Sequence, residues 1–391
     1  MKFISTILLF LIVSGVWAQS PKLERSLKEV TFSRRGYELG FQHGKLLKIE
    51  IDDLVTKWKM NTTKAFGKDA DIILKEFFKY ANFTDAIKKW TPDLFKEIEG
   101  IANGSKQRFN DILVLNLLDE FWVYIDQLYN HHCTDIGVAS IHGSPSYVAQ
   151  NMDIESYTDG YQTLVRLEKT NESPEQLILT HPGLIALNGM NETGVGVVVN
   201  TIMQLSASTA GLPVAFIVRK IIDSTDKDDL LEFLTSVNHA SGQNYIVGIR
   251  GEVFDFEASA NQVIQYNPKN ENGTVYHTNH PIVNNDLKPW YNQFNPNLEA
   301  DEKPHSNNSY IRLSAVKKHV IDKMKITEED IKNALRSKDD TMNPVCRSNQ
   351  NNGRVFTFAS TIMSLSGKPY LKITAGPPDE SEYKRIDFTS E

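Results

Sequence analysis

From Gly36 to about Arg108 the apolar residues recur at helical spacing: Leu39, Leu46, Leu47, Ile51, Leu54, Val55 and Trp58, then Ile72, Ile73, Phe77, Phe78 and Tyr80. That period predicts a helix-rich N-terminal section. Thr91-Pro92 reads as a helix start, with Thr91 as N-cap and Pro92 at the first helical position, running through Leu94, Ile98 and Ile101 to Asn103-Gly104. Asp111 is predicted to cap a further helix that continues through Leu115, Leu118 and Trp122 toward Tyr129. At Cys133 the period shortens. Ile136–Ile141 and Tyr147–Asn151, separated by His142-Gly143-Ser144-Pro145, predict a β-hairpin. Strand patterns follow at 164–167, 176–180, 194–200, 245–249, 253–257, 263–266, 355–360 and 370–374, and helical ones at 213–222, 228–237, 310–324 and 328–335. Strands, then helices, then strands again predict α+β layers with mostly antiparallel sheets. The polar stretch 284–308 is expected to be a long surface loop.

Composition narrows the class. With 391 residues, 40% hydrophobic and 23% charged, the chain has the makeup of an ordinary globular protein. Its net charge of −7 supplies no field for a polyanion, so nucleic acid is excluded as the expected partner. Lys2, the apolar run Ile4–Val13 and Val16-Trp17-Ala18 form a secretion signal, with cleavage expected after Ala18 to expose Gln19. The run is shorter than the roughly 20 apolar residues of a membrane span. A secreted, periplasmic or lumenal protein is therefore expected. Seven Asn-x-Ser/Thr sequons, at Asn61, Asn82, Asn103, Asn171, Asn191, Asn272 and Asn307, matter where the host glycosylates.

Two cysteines, Cys133 and Cys346, are present. A disulfide between them is one reading, and a cysteine kept for its chemistry is the other. No CxxC, HExxH or zinc-like His/Cys spacing occurs, so no metal or cofactor is expected. A thiol nucleophile needs a base and an oxyanion site. Cys133-Thr134-Asp135 opens the first strand of the hairpin and Gln150-Asn151-Met152-Asp153 ends the second, so pairing would return Asp153 to Cys133.

These residues carry a resemblance. Cys133-Thr134, the hairpin and Asn151-Met152-Asp153-Ile154-Glu155 resemble the start of the catalytic chain of cysteine N-terminal nucleophile (Ntn) hydrolases. Gly189-Met190-Asn191-Glu192-Thr193-Gly194-Val195 running to Asn200 is similar to a strand segment of that superfamily, His277-Thr278-Asn279-His280 to its Asn-bearing element, and Ser309-Tyr310-Ile311-Arg312 to its Ser-x-x-Arg helix start. Gln150 before Asn151, where bile-salt hydrolases and N-acylethanolamine amidases place Arg, and the glycine-spaced Arg35–Gly44 segment resemble the penicillin acyltransferase family, which includes the N-β-alanyl-dopamine hydrolases.

The resemblance implies a four-layer αββα sandwich with two antiparallel sheets. It implies scission between His132 and Cys133, where relatives usually carry Gly before the cysteine, giving a helix-rich chain of 19–132 and a catalytic chain of 133–391 that remain associated. Cys133 would be the nucleophile and its freed α-amine, with an ordinary pKa of about 7.7–8.0, the base. Asp153 would orient that amine, Asn279 and Asn200 would donate to the oxyanion, and Gln150, Asn151, Ser309 and Arg312 would support the site. The implied partner is a small N-acyl amide, with an amine as possible acyl acceptor; pocket walls are expected from 157–162 and 204–210, a helix carrying Arg219 follows Gly211-Leu212-Pro213, and Cys346 is expected to be a packing residue. The alternatives are hydrolysis of bile salts or fatty N-acyl amides, and a non-catalytic binding protein on the same scaffold.

Overall fold

The computed structural model describes residues 25–125, 132–141, 143–268, 270–289, 291, 307–349 and 354–389. The secretion signal, His131, His142 and most of the 284–308 stretch lie outside them. Two sheets form the centre. One has eight strands in the order β1 (Lys28–Phe32), β4 (Thr163–Leu167), β5 (Gln176–Thr180), β6 (Asn188–Asn191), β7 (Val195–Thr201), β8 (Gln243–Ile249), β9 (Glu252–Ala258) and β10 (Val263–Gln265), and the other six, in the order β11 (Thr274–His277), β2 (Thr134–Val138), β3 (Tyr147–Glu155), β12 (Val355–Ser364), β13 (Tyr370–Ile373) and β14 (Lys384–Asp387).

Alternation along the strands explains why both sheets are covered on both faces. In β7 (Val195–Thr201), Val195, Val197 and Val199 join a core shared with the N-terminal helices, whereas Val198 faces the other sheet. In β3 (Tyr147–Glu155), Val148 and Met152 face the first sheet while Tyr147 and Ala149 pack beneath α10 (Asn307–Val320) and α11 (Glu328–Leu335). The result is the four-layer αββα sandwich that the resemblance implied. One pairing departs from the all-antiparallel expectation: β1 (Lys28–Phe32), which the pattern did not show, adds to β4 (Thr163–Leu167) in parallel. Such an edge strand comes from far away in sequence, so no hairpin signal announces it.

One helix start is as expected and one differs. α5 (Pro92–Ser105) has Thr91 at the N-cap position and Pro92 first, with the Thr91 hydroxyl donating to the Ile87 carbonyl at 3.0 Å rather than capping through its side chain. The helix expected from Asp111 is two helices, α6 (Phe109–Leu115) and α7 (Leu118–Ile125); Asp111 lies inside the first turn, where it accepts from Arg108 and Lys59. Of the sequons, Asn191 and Asn272 are buried, with their amides donating to Ile222 and Ser224 and to Val320 and Lys323 carbonyls, so the folded chain offers neither to a glycan.

α1 (Gly36–Leu46) lies directly against α5, and four glycines, Gly40, Gly44, Gly100 and Gly104, permit it. A β-carbon at Gly40 would sit 1.9 Å from the Glu97 carbonyl oxygen, and one at Gly100 would sit 2.2 Å from that of Tyr37. Successive contacts advance together along both helices, so they run parallel and their N-termini share one end. Gly40→Ala is expected to cost about 1–3 kcal/mol or more by forcing the backbones apart, whereas Lys45→Ala on the exposed face should stay within about 0.5 kcal/mol. Urea unfolding of both variants checks this.

Candidate functional site

β2 (Thr134–Val138) pairs with β3 so that Thr134 faces Asn151 and Asp135 faces Gln150, which sets Cys133 beside Met152 and Asp153. The Cys133 thiol lies 3.7 Å from the Asp153 carbonyl oxygen and 3.8 Å from the Met152 sulfur. Both cysteines are free and buried, which removes the disulfide reading. Burial first, and the nearby Asp153 and Asp135 second, push the Cys133 thiol well above its ordinary pKa. With the peptide bond to His132 intact, this sulfur is therefore a protonated thiol and a poor nucleophile.

Arg312 organises what surrounds it. From the buried face of α10, Nη1 donates to the Cys133 carbonyl at 2.6 Å and to the Thr134 hydroxyl at 2.8 Å. Nη2 donates to Asn279 Oδ1 at 2.8 Å and Nε to Asn308 Oδ1 at 2.8 Å. Asn308 in turn meets His132 Nδ1 at 2.9 Å, so both residues of the expected scissile bond are tied to one helix. Burial and the neighbouring Arg347 pull Arg312 down to about 9, which leaves it charged at neutral pH.

Asn279 joins the cluster through two bonds: its amide donates to the Thr201 carbonyl at 3.0 Å and its oxygen accepts from Arg312. Ser309 holds the loop that presents it, its hydroxyl accepting from the Asn279 backbone N–H at 2.7 Å and donating to Thr278 at 2.8 Å. Gln150 bridges the layers, donating to the Val199 carbonyl and accepting from Asn188, both at 2.6 Å. Asn151 points to the opposite face and anchors the Leu335 and Val345 carbonyls. Asn200 is fully buried, with neither amide atom bonded among the described residues, and neither it nor Asn279 lines the cavity beside Cys133. Cys346 does more than pack: its sulfur lies 2.9 Å from Asp379 Oδ1.

That cavity holds about 80 Å³, several times the roughly 10–15 Å³ that one water needs. Cys133, Met152 and Asp153 form one wall, and Leu118, Trp122, Leu184, Leu187 and Val218 are among the apolar residues facing them. Asp119 and Glu155 supply polar points; Glu155 accepts from the Trp122 indole at 3.0 Å. The loops 157–162 and 204–210, expected as walls, do not line it; the first turns of α7 and α8 (Val214–Asp223) take their place. Arg347, which no motif marked, stands 3.5 Å from Asp153 Oδ2. It belongs to an aperiodic stretch, where sequence carries no positional signal.

Asp153 is 3% exposed and its carboxylate oxygens have no hydrogen bond among the described residues. Burial raises it to about 7, against the partial opposing pull of Arg347. Because the folded value lies above the unfolded one, this group weakens folding as pH rises from about 4 to about 7, and the loss persists above that window. In a Cys133→Ala background, Asp153→Asn is expected to leave stability unchanged below pH ~4 and to raise it above pH ~7 by up to roughly 3–4 kcal/mol. Urea melts across that range read the difference; a constant offset at every pH would refute it.

The family model for acyl-coenzyme A:6-aminopenicillanic acid acyl-transferase matches residues 142–380. That span begins nine residues after Cys133. The chain is 25% identical over 252 residues to the acyl-coenzyme A:6-aminopenicillanic-acid-acyltransferase 40 kDa form of Emericella nidulans, covering 63% of this chain and 67% of that relative. Among solved structures, a mutant conjugated bile acid hydrolase from Clostridium perfringens aligns with TM-score 0.41 and 15% identity over 66% of this chain and 93% of its own. An N-acylethanolamine-hydrolyzing acid amidase ortholog from Caenorhabditis elegans gives TM-score 0.41 and 16% identity over 59% and 92%. With more than half of its length matched by the family model, the chain belongs to the acyl-coenzyme A:6-aminopenicillanic acid acyl-transferase family.

Proposed function

We propose that this chain is a secreted enzyme of amide hydrolysis or acyl transfer that matures by cleavage of the His132–Cys133 bond and then uses Cys133 on a small N-acyl amide. The observation that carries this is the position of the Cys133 sulfur in the wall of an apolar cavity, with Asp153 buried beside it and Arg312 gripping its carbonyl.

In maturation the Cys133 thiol attacks the His132 carbonyl carbon, the peptide C–N bond breaks, and a thioester to His132 forms while the nitrogen takes a proton. Water hydrolyses that thioester and leaves a free α-amine on Cys133. Asp153, already at about 7, is matched to trade a proton with that amine near neutral pH. The amine then accepts the thiol proton as the sulfur attacks the substrate carbonyl. Asn279 offers its second amide hydrogen to the developing oxyanion, and the substrate amine leaves with the proton. Water or a second amine releases the acyl group from sulfur. The apolar lining favours an acyl group that is itself small and apolar.

The two chains would stay together because no separate core divides them. Phe77, Ile98 and Phe121 from the N-terminal helices share one cluster with Val197, Phe216 and Tyr245 of the other segment. Secretion rests on the signal at residues 1–18. Among the described residues no helix is long and apolar enough to cross a membrane.

Cys133→Ala is expected to yield a folded, single-chain protein without amidase activity, while wild type gives a fragment beginning at Cys133 and, with substrate, an acyl adduct on that fragment. Intact-mass analysis of both, with amine release from a panel of short N-acyl amides, reads the outcome. Wild-type activity from a single uncleaved chain would overturn the scheme.

Asn279→Leu is expected to lower kcat by roughly 100- to 1,000-fold with KM little changed. The geometry adds a stability loss of about 1–3 kcal/mol for each group left unpaired, because the Arg312 N–H and the Thr201 carbonyl both lose a buried partner. Steady-state kinetics and melting on one preparation separate the two effects; a fall in melting temperature with kcat intact would assign Asn279 to structure alone.

A further inference from the structure

The parallel packing of α1 and α5 puts two helix N-termini at one end of the molecule, and a cavity of about 180 Å³ opens there. Neither helix start carries a capping side chain. The aligned peptide dipoles therefore place positive partial charge at the same mouth. Arg35, Arg219 and Lys220 line it.

Two buried side chains in its wall are incompletely bonded among the described residues. Arg219 is 5% exposed; Nη2 donates to Glu97 at 2.9 Å, but its Nε has no acceptor, and Arg35 Nε is in the same condition. Gln176 is 1% exposed; Nε2 donates to Asp223 at 2.7 Å, but its Oε1 has no donor. Leaving such groups unpaired costs about 1–3 kcal/mol each. The cavity thus presents surplus donors and a surplus acceptor together.

The charges decide which solute suits it. Against the three cations stand four carboxylates, Asp93, Glu97, Glu172 and Asp223. Glu97 is bound by Arg219 and Asp223 by Gln176, which leaves Asp93 and Glu172 open. A simple anion would meet those acids, and a simple cation would meet the helix starts and guanidinium groups. We propose that this cavity binds a small zwitterion of the α-amino acid class, its carboxylate toward Arg35, Arg219 and the helix starts and its ammonium toward Gln176 Oε1 and the open acids.

The site is distinct from the cavity at Cys133, yet α8 walls both. Val214, Ala215 and Val218 face the cysteine, and Arg219, Lys220 and Asp223 face the second cavity. The binding inference does not depend on the proposed chemistry and is tested without it.

The experiment measures melting of the full chain with each common α-amino acid in turn, and with acetate and methylammonium chloride at the same concentrations. At least one amino acid is expected to give a saturable rise of about 2–4 °C, and acetate and methylammonium none. Arg35→Gln, on a partly exposed residue, should weaken that binding about 10-fold or more. Arg219→Lys, which keeps a cation for Glu97 but lacks the Nε–H, should weaken it as well. The proposal fails if no amino acid shifts the transition, which would mean that water fills the cavity. It also fails if acetate alone matches the amino acid, or if Arg35→Gln responds as wild type does.

Discussion

The buried guanidinium of Arg312 is the interaction on which the site depends. A fully buried cation is tolerated only when its hydrogens are matched, and leaving one unpaired typically costs about 1–3 kcal/mol. Here the partners come from Cys133, Thr134, Asn279 and Asn308, so one side chain on α10 ties β2, the 278–280 loop and the helix's own first turn together. The same bonds place the Cys133 carbonyl and the Asn279 side chain at fixed positions. Geometry at Cys133 and stability of the layer therefore rest on the same contacts.

A second constraint is the polar content of the space between the sheets. Strand alternation sends Asp135, Gln150, Asn200 and Asp255 into that layer, where burial raises Asp135 well above the carboxylate range and Asp255 to about 7. Glu257 shows the opposite outcome. Its carboxylate accepts from His277 and from the backbone N–H groups of Ile282, Val283 and Asn284, and these bonds hold it below its ordinary value although burial pushes the other way. The contrast is one of hydrogen-bond supply: donors around Glu257 outweigh its burial, whereas Asp135 and Asp255 have too few to offset theirs. Cys133 is buried in this layer beside Asp153 and Asp135, and burial first, then those acids, raises its thiol pKa.

Much of the architecture was legible because it rests on local periodicity. The hairpin around Gly143 and Ser144 puts Asp153 at Cys133 by register alone, and β7, β8 (Gln243–Ile249) and β12 (Val355–Ser364) follow from their apolar runs. The Asn-bearing and Ser-x-x-Arg segments were visible as motifs. Their side-chain partners were not: Arg312, read as supporting the site, holds the Cys133 carbonyl, and Asn200 and Asn279, read as oxyanion donors, both lie outside the lining of the cavity.

By itself the sequence determined the layered class, the hairpin that returns Asp153 to Cys133 and the order of the four motif segments, since each depends on residues close in the chain. Only the tertiary structure decided that α7 and α8 wall the cavity, that Arg347 faces Asp153, and that α1 and α5 run parallel with their starts around Arg219. Those contacts join residues tens to hundreds of positions apart. They arise from which faces are left to bury once the sheets have packed, and no local pattern encodes that.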